Sequence, residues 1–200
     1  IPFLAVNTCL IMITQFHDLY ASREEIIHWT FPYIDGGASI SRTARPYPSS
    51  LVFKPSMFLT SFLLIKYWLF NKEIIHFFSK DHKNINKIVF FGIASAIALT
   101  VHSIFLGIKF DNDFYKLFRR VIMLSFIIFE LVAQAYLVAT LYSFKNKLLK
   151  NINTKILQVK LYLVSLLIIV AVISIPIISM PGDYFLGFNL KFFKHGLEWN

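Results

Sequence analysis

Long apolar runs separated by short basic connectors are the feature of this sequence that most restricts its fold. Residues 88–108 and 161–180 contain no Asp, Glu, Lys or Arg, and residues 121–144 contain a single charged residue, Glu130. Residues 51–70 form a fourth run, in which the only charges are two lysines. A helix needs about 20 mostly apolar residues to cross the hydrocarbon core of a bilayer, so each run is long enough to span it. The sequence therefore predicts an all-α polytopic transmembrane helical bundle.

The composition agrees with a membrane protein and excludes several other classes. Hydrophobic residues make up 56% of the chain and charged residues only 16%, with a net charge of +9. The lysines are spread among the connectors, so the positive charge is not the clustered basic face of a nucleic-acid-binding protein. It fits cytoplasmic loops that face anionic lipid. The single cysteine, Cys9, cannot form an internal disulfide, and no metal-ligand spacing is present. We therefore expect no cofactor and no metal. The expected partners are membrane lipids, with a second membrane protein left open.

Five spans can be placed along the chain, within a single transmembrane helical domain that covers residues 1–200. We expect them at about 1–19, 51–70, 88–109, 118–144 and 157–180. The chain opens on Ile1 inside an apolar run and ends just after Trp199. We therefore expect a fragment that lacks part of the first span and a sixth span beyond residue 200.

Lysines in the connectors predict the orientation of the spans. Connectors 71–87 and 145–156 carry four lysines each and fall on the same side of the membrane in a five-span arrangement. By the positive-inside rule this side is cytoplasmic, which places the N-terminus there and loops 20–50 and 110–117 outside. The stretch 71–81 mixes apolar and charged residues, and predicts a short amphipathic segment along the cytoplasmic interface.

Two ionisable side chains, His102 and Glu130, lie deep inside predicted spans. Each costs several kcal/mol in hydrocarbon unless it is neutralised or paired. Counting 1.5 Å per residue from the centres of the third and fourth spans puts the two side chains within about one helical turn of the same depth. We therefore expect them to contact each other inside the bundle.

The neighbours of this pair support a polar group between the helices. Gln134 follows Glu130 by four positions and so shares its helical face. Ser95 and His102 belong to a stripe of small and polar residues on the third span. Two interpretations remain open: an outward-opening pocket formed by Ser95, His102, Glu130 and Gln134, or a buried hydrogen bond that pins two helices together. The catalytic residues are unknown, and His102 and Glu130 are the candidates for general acid and base.

The outer loop and the C-terminal tail supply a second set of candidates, for binding a lipid headgroup. These are Asp35, Ser41, Arg42, Arg45 and Glu198. Arginines beside flexible hydroxyl groups suit phosphate, because a guanidinium group binds oxygens bidentately. An ordinary solvated loop is the alternative. Trp199, next to charged residues, is typical of an interfacial anchor.

The segment FPYIDGGASISRTARPYPSSLVF resembles the first outer loop of the Frag1/DRAM/Sfk1 family. The matching residues are Pro32, Ile34, Asp35, Pro48 and Phe53. His102 in the third span and the Glu198–Trp199 pair are also similar to the family, whereas the arginine-rich stretch 39–48 departs from its pattern. The resemblance implies six spans with both termini in the cytoplasm. Eukaryotic relatives are linked to remodelling of GPI-anchor lipids, phosphoinositide organisation and autophagy.

Three functional hypotheses follow. The first is an integral membrane protein that interacts with or organises lipids and has an outward-facing polar pocket. The second is a membrane-embedded lipid-modifying enzyme that uses His102 and Glu130 as acid and base. The third is a small proton-coupled carrier that uses Glu130 as a relay.

Overall fold

The chain is almost entirely helical in the computed structural model, which describes residues 1–21, 27, 30–79, 82–108, 112–145, 153–179, 184–185 and 188–199. The predicted all-α membrane architecture is confirmed. Five long or medium helices lie over the five predicted spans: α1 (Pro2–Gln15), α4 (Ser49–Phe78), α5 (Ile85–Phe105), α6 (Asp113–Ser143) and α7 (Thr154–Ser179). The described elements between and after them are a 3-10 turn (His17–Leu19), α2 (Pro32–Asp35), α3 (Ile40–Ala44), β1 (Tyr184–Phe185), β2 (Phe188–Asn189) and α8 (Leu190–Trp199). The two short strands pair antiparallel.

Three of the described helices are both long enough and apolar enough to cross a membrane: α5, α6 and residues 155–174 of α7. Helix α4 has 30 residues, but its apolar character is interrupted by Lys54 and Lys66. Helix α1 has 14 residues, or about 21 Å at 1.5 Å per residue, which is shorter than a hydrocarbon core of about 30 Å. The number of five spans therefore stays a prediction.

The segment after the second span differs from expectation. Residues 71–78 continue α4 without a break and do not form a separate interfacial segment. The reason is local, because no glycine or proline interrupts the chain between Ser56 and Phe78.

Several charges used to predict the orientation lie outside the described residues: Arg23, Glu24, Glu25, Lys80, Asp111, Lys147 and Lys150. The orientation and the single-domain organisation stay predictions.

The chain divides into two compact units. Unit 1 consists of residues 1–60, 103–110 and 173–200, and unit 2 of residues 61–102 and 111–172. In unit 1, α2 and α3 pack against α8, and a cluster of buried residues lies beside them. This cluster comprises Ile13, Tyr20, Ile27 and Ala38. The backbone of Gly36 makes this packing possible, because a Cβ atom there would lie 1.8 Å from the carbonyl oxygen of Phe192. Gly36 also ends α2 in the left-handed conformation, with φ at 60°.

Unit 2 is built around the antiparallel hairpin of α5 and α6, packed on the second half of α4. Its core comprises Trp68, Ile75, Ile85, Ile88, Ala133 and Leu137. Asn84 Nδ2 donates to Thr140 Oγ1 at 3.5 Å, and Ser95 Oγ donates to Glu130 Oε2 at 2.8 Å. The eleven-residue step from Asn84 to Ser95 thus corresponds to a ten-residue step from Thr140 back to Glu130 along α6. These two contacts fix the register of the hairpin.

Candidate functional site

Glu130 is the centre of a polar group inside unit 2. Its carboxylate accepts three hydrogen bonds, from Trp68 Nε1 at 3.3 Å, Ser95 Oγ at 2.8 Å and Gln134 Nε2 at 3.0 Å. Trp68 and Ser95 are fully buried, whereas Glu130 and Gln134 are half-buried. The three donors come from α4, α5 and α6, so one carboxylate ties three helices together.

Local sequence explains most of this group. Gln134 reaches Glu130 because residues four apart lie on one helical face. Trp68 lies close to α5 because the facing residue is Gly92, where a Cβ atom would stand 2.3 Å from the indole ring. Sequence reasoning missed Trp68. The available signal was an indole N–H in an apolar segment, which usually needs an acceptor when it is buried.

The hydrogen count at Ser95 shows what this group can do chemically. Its single hydroxyl proton has two acceptors at 2.8 Å, the carbonyl oxygen of Gly92 and Glu130 Oε2. When Glu130 is ionised, Ser95 donates to the carboxylate. When Glu130 is protonated, its O–H can donate to Ser95 Oγ, and Ser95 then donates to Gly92. The geometry accommodates either state with a rotation of one hydroxyl group.

His102 does not join this group, and the expected contact between His102 and Glu130 is not formed. No hydrogen bond or ion pair links the two residues, although the structure describes both. His102 lies seven residues beyond Ser95 on α5, or about 10 Å along the helix axis. The register of the hairpin places it level with about residue 123 of α6 rather than with Glu130. Estimating depth from span centres failed because it assumed that the two helices are aligned at their midpoints.

His102 instead lies near Arg119. Its Nδ1 atom is buried and has no hydrogen-bond partner. Arg119, on α6, is half-buried and close enough to interact electrostatically with the imidazole ring. Arg119 and Glu130 are eleven residues apart, or about three helical turns, so they share one face of α6.

In unit 1, Asp35 organises the loop that follows α2. Its carboxylate accepts hydrogen bonds from Thr30 Oγ1 at 2.6 Å, Phe31 N at 2.8 Å and Gly37 N at 2.7 Å. Burial raises the pKa of Asp35, but these hydrogen bonds outweigh it and hold the pKa below its ordinary value. The lone pairs of this carboxylate are therefore used within the loop.

Glu198 and Trp199 attach α8 to the same loop. Ile40 N donates to Glu198 Oε2 at 3.2 Å, and Trp199 Nε1 donates to the carbonyl oxygen of Ala38 at 2.7 Å. Burial raises the pKa of Glu198 above its ordinary value, and the hydrogen bond from Ile40 offsets only part of that rise. Trp199 is 7% exposed and packs edge-on against Tyr33. Its role is internal packing, so the interpretation of Trp199 as an interfacial anchor was wrong.

The remaining headgroup candidates lie on α3. Ser41 Oγ is 3.3 Å from Ser39 Oγ, and the Arg42 backbone N–H donates to Ser39 Oγ, which caps the helix. The Arg42 side chain is exposed, and Arg45 is half-buried with its Nε atom enclosed and without a hydrogen-bond partner. Within the described part of the chain, neither arginine forms an ion pair with a carboxylate. The five headgroup candidates thus divide into two structural carboxylates and a hydroxyl–arginine group.

The described residues contain no group of three or more His, Cys, Asp or Glu side chains that could hold a metal ion. A sequence model of the Frag1/DRAM/Sfk1/Cwh43P N-terminal domain family matches residues 1–180. No curated protein and no solved structure matches the chain. The matched range includes the Glu130 group and both arginines of α3, and it ends before α8.

Proposed function

Because this chain belongs to the Frag1/DRAM/Sfk1/Cwh43P N-terminal domain family, we propose that it is a lipid-organising membrane protein whose α3 arginines contact a phospholipid headgroup. The observation that carries the proposal is the exposure and pairing of the Arg42 and Arg45 side chains. Two guanidinium groups lie three residues apart, one exposed and one half-buried, and neither is paired with a carboxylate among the described residues. Nearby acidic groups do not neutralise them, because Asp35 and Glu198 accept backbone hydrogen bonds of the loop.

The apolar surfaces support contact with lipid. In the most apolar part of α7 only 11% of the residues are buried. Large apolar side chains on this helix are exposed, among them Leu163, Leu166, Leu167 and Val170. A soluble protein rarely exposes so large a continuous apolar face, whereas hydrocarbon tails cover it at little cost. This surface of α7 therefore favours a protein embedded in the bilayer.

The Glu130 group favours this proposal over the enzyme hypothesis. An acid–base pair needs His102 and Glu130 in one site, and no hydrogen bond or ion pair joins them. All three partners of the carboxylate are protein donors on three different helices. We therefore assign Glu130 a structural role, in which its hydrogen bonds hold three helices of unit 2 together. The outward opening of a pocket there depends on the predicted orientation and is part of the proposal.

Spin-labelled lipids reconstituted with the protein test the proposal, because electron paramagnetic resonance separates lipid held at the protein surface from bulk lipid. We expect selectivity for phosphatidylglycerol over phosphatidylcholine. Each of Arg42→Gln and Arg45→Gln lowers this selectivity about fivefold, since a basic residue near a membrane surface contributes about 1 kcal/mol toward anionic lipid.

Lys191→Gln is the matched control, because it removes one positive charge from α8 in the same unit. We expect it to retain most of the selectivity. Equal loss in the control and in the arginine variants would show general surface charge and would overturn the assignment. Full selectivity in the Arg42→Gln/Arg45→Gln double variant would overturn it as well.

A further inference from the structure

Lys160 is a charged residue at the edge of the buried face of α7. On one side of it lie Leu157 and Val164, which are 9% and 7% exposed, and on the other lie Leu163 and Leu167, which are 55% and 53% exposed. Lys160 itself is half-buried. It lies six residues after the start of α7, or about 9 Å along the helix axis. A charged side chain at such a position inside an apolar helix usually marks a functional site.

The ammonium group of Lys160 is held against α4 by Tyr67. Lys160 Nζ donates a hydrogen bond to Tyr67 Oη at 3.1 Å and lies 5.8 Å from the centroid of the ring. An ammonium group has three N–H donors, and a phenol has one O–H donor of its own. Within the described part of the chain, neither residue has a further hydrogen-bond partner. Two donor groups whose heavy atoms are 3.1 Å apart thus lack an acceptor, which is the arrangement that binds an oxyanion.

The carboxylates that the structure describes in unit 2 do not neutralise Lys160. They belong to Glu73, Asp113 and Glu130. Asp113 is paired with a lysine of its own helix at 3.0 Å, and Glu130 is bound by three donors. Glu73 is exposed and lies six residues beyond Tyr67, or about 9 Å along α4. The charge of Lys160 therefore favours an anion from outside the chain.

The depth of this pair indicates a lipid as the source of the anion. Trp68, next to Tyr67, packs on Gly92, which lies seven residues or about 10 Å from the start of α5. This agrees with the depth of about 9 Å counted along α7. The pair therefore lies somewhat below the ends of the apolar helices, where a free ion would have to leave water. A lipid beside α7 already has its acyl chains there, against the exposed side chains of Leu163 and Leu167.

We propose that Lys160 and Tyr67 bind the oxyanion of a membrane lipid where α7 contacts α4. The ammonium group supplies positive charge and N–H donors, and the phenol supplies its O–H group. The phosphate of phosphatidic acid and the carboxylate of a fatty acid share this chemistry. Both residues belong to unit 2. The site is therefore separate from the α3 arginines of unit 1, and it does not depend on the function proposed for them.

Native mass spectrometry of the full chain, released from detergent micelles that contain dioleoyl phosphatidic acid, tests this site. We expect the wild-type protein to retain the lipid. Lys160→Gln should reduce retention about tenfold and Tyr67→Phe about threefold, because a charged donor contributes more than a neutral one. Parallel spectra with oleate distinguish a fatty acid from a phospholipid. A titration with inorganic phosphate, followed by the shift in melting temperature, distinguishes both lipids from a free anion.

Exposed residues of the same two types provide the matched controls. Lys155 carries the same charge on α7, but it is exposed and lies about 140° around the helix from Lys160. Lys155→Gln should leave retention within about twofold of wild type, since an exposed charge contributes little. Tyr142 is 52% exposed, and the ammonium group of Lys145 lies 5.5 Å from the centroid of its ring. Tyr142→Phe should also leave retention within about twofold of wild type.

Each result decides the question. Equal loss in Lys160→Gln and Lys155→Gln would overturn the site in favour of general surface charge. Unchanged retention in Lys160→Gln would show that the ammonium group only holds α7 against α4, and it would overturn the site as well. So would a wild-type protein that retains neither lipid, or one that inorganic phosphate stabilises as much as lipid does. If Lys160→Gln fails to fold, Tyr67→Phe compared with Tyr142→Phe applies the same criterion, because each change removes one hydroxyl group and keeps the ring.

Discussion

Replacement of Glu130 by leucine tests whether this carboxylate ties three helices together. The change removes the acceptor of three hydrogen bonds. Ser95 keeps the carbonyl oxygen of Gly92 as an alternative acceptor at 2.8 Å, so its loss is small. Gln134 loses a bond worth about 1 kcal/mol, and the fully buried indole of Trp68 loses its acceptor, which costs about 1–2 kcal/mol. We use the lower part of the usual range for Trp68 because its bond, at 3.3 Å, is long.

The expected result for Glu130→Leu is therefore a decrease of about 2–3 kcal/mol in the free energy of unfolding. Glu130→Gln is the isosteric control. Its amide oxygen can accept from Trp68 and Ser95, and the Gln134 side chain can turn its own oxygen toward the new N–H group. We expect this variant to lose less than about 1 kcal/mol.

Reversible unfolding in mixed micelles, driven by added dodecyl sulfate and followed by far-ultraviolet circular dichroism, measures these differences. The same two variants are then prepared in a Trp68→Phe background, which lacks the indole donor. In that background Glu130→Leu should cost about 1 kcal/mol less than in the Trp68 background, because no orphaned N–H group remains. Equal costs in the two backgrounds, or equal costs for leucine and glutamine, would refute the role of Glu130 as a shared acceptor.

Three further predictions concern packing, protonation and orientation. Gly92→Ala should destabilise the protein by about 1–3 kcal/mol, because its Cβ atom would meet an indole ring at 2.3 Å. Gly196→Ala should not, since the nearest atom would be 3.9 Å away, and equal melting temperatures for the two variants would contradict this. Because burial raises the pKa of Glu198 in the folded state, folding favours its protonated form. Stability should therefore fall as pH rises from its ordinary pKa of 4.5 through the raised value. In the Glu198→Gln variant, the free energy of unfolding should no longer fall over this pH range. A variant with the same pH profile as the wild type would contradict the assignment of this pH dependence to Glu198. Reporter fusions after Lys83 and at Asp111 should read cytoplasmic and external, respectively. The opposite result would reverse the orientation proposed from the connector lysines.

Local rules predicted two of the contacts of Glu130. Gln134 and Glu130 were placed together because four residues bring side chains onto one face of a helix. The assignment of Ser95 to the same group also succeeded, because small and polar residues permit close approach of neighbouring helices. Asp35 was recognised as a candidate, but its function in the loop was not. Only the backbone conformation shows which N–H groups point at its carboxylate.

The sequence by itself determines that this is a membrane protein and where its long helices lie, because the length and apolar character of each run are local properties. The partners of its polar groups do not. Whether Glu130 meets His102 or Trp68 depends on how far α5 slides along α6 and on how closely α4 approaches Gly92. The contact between Glu198 and Ile40 joins residues 158 positions apart. Such register and long-range pairing depend on the packing of many side chains at once, so only the tertiary structure decides them.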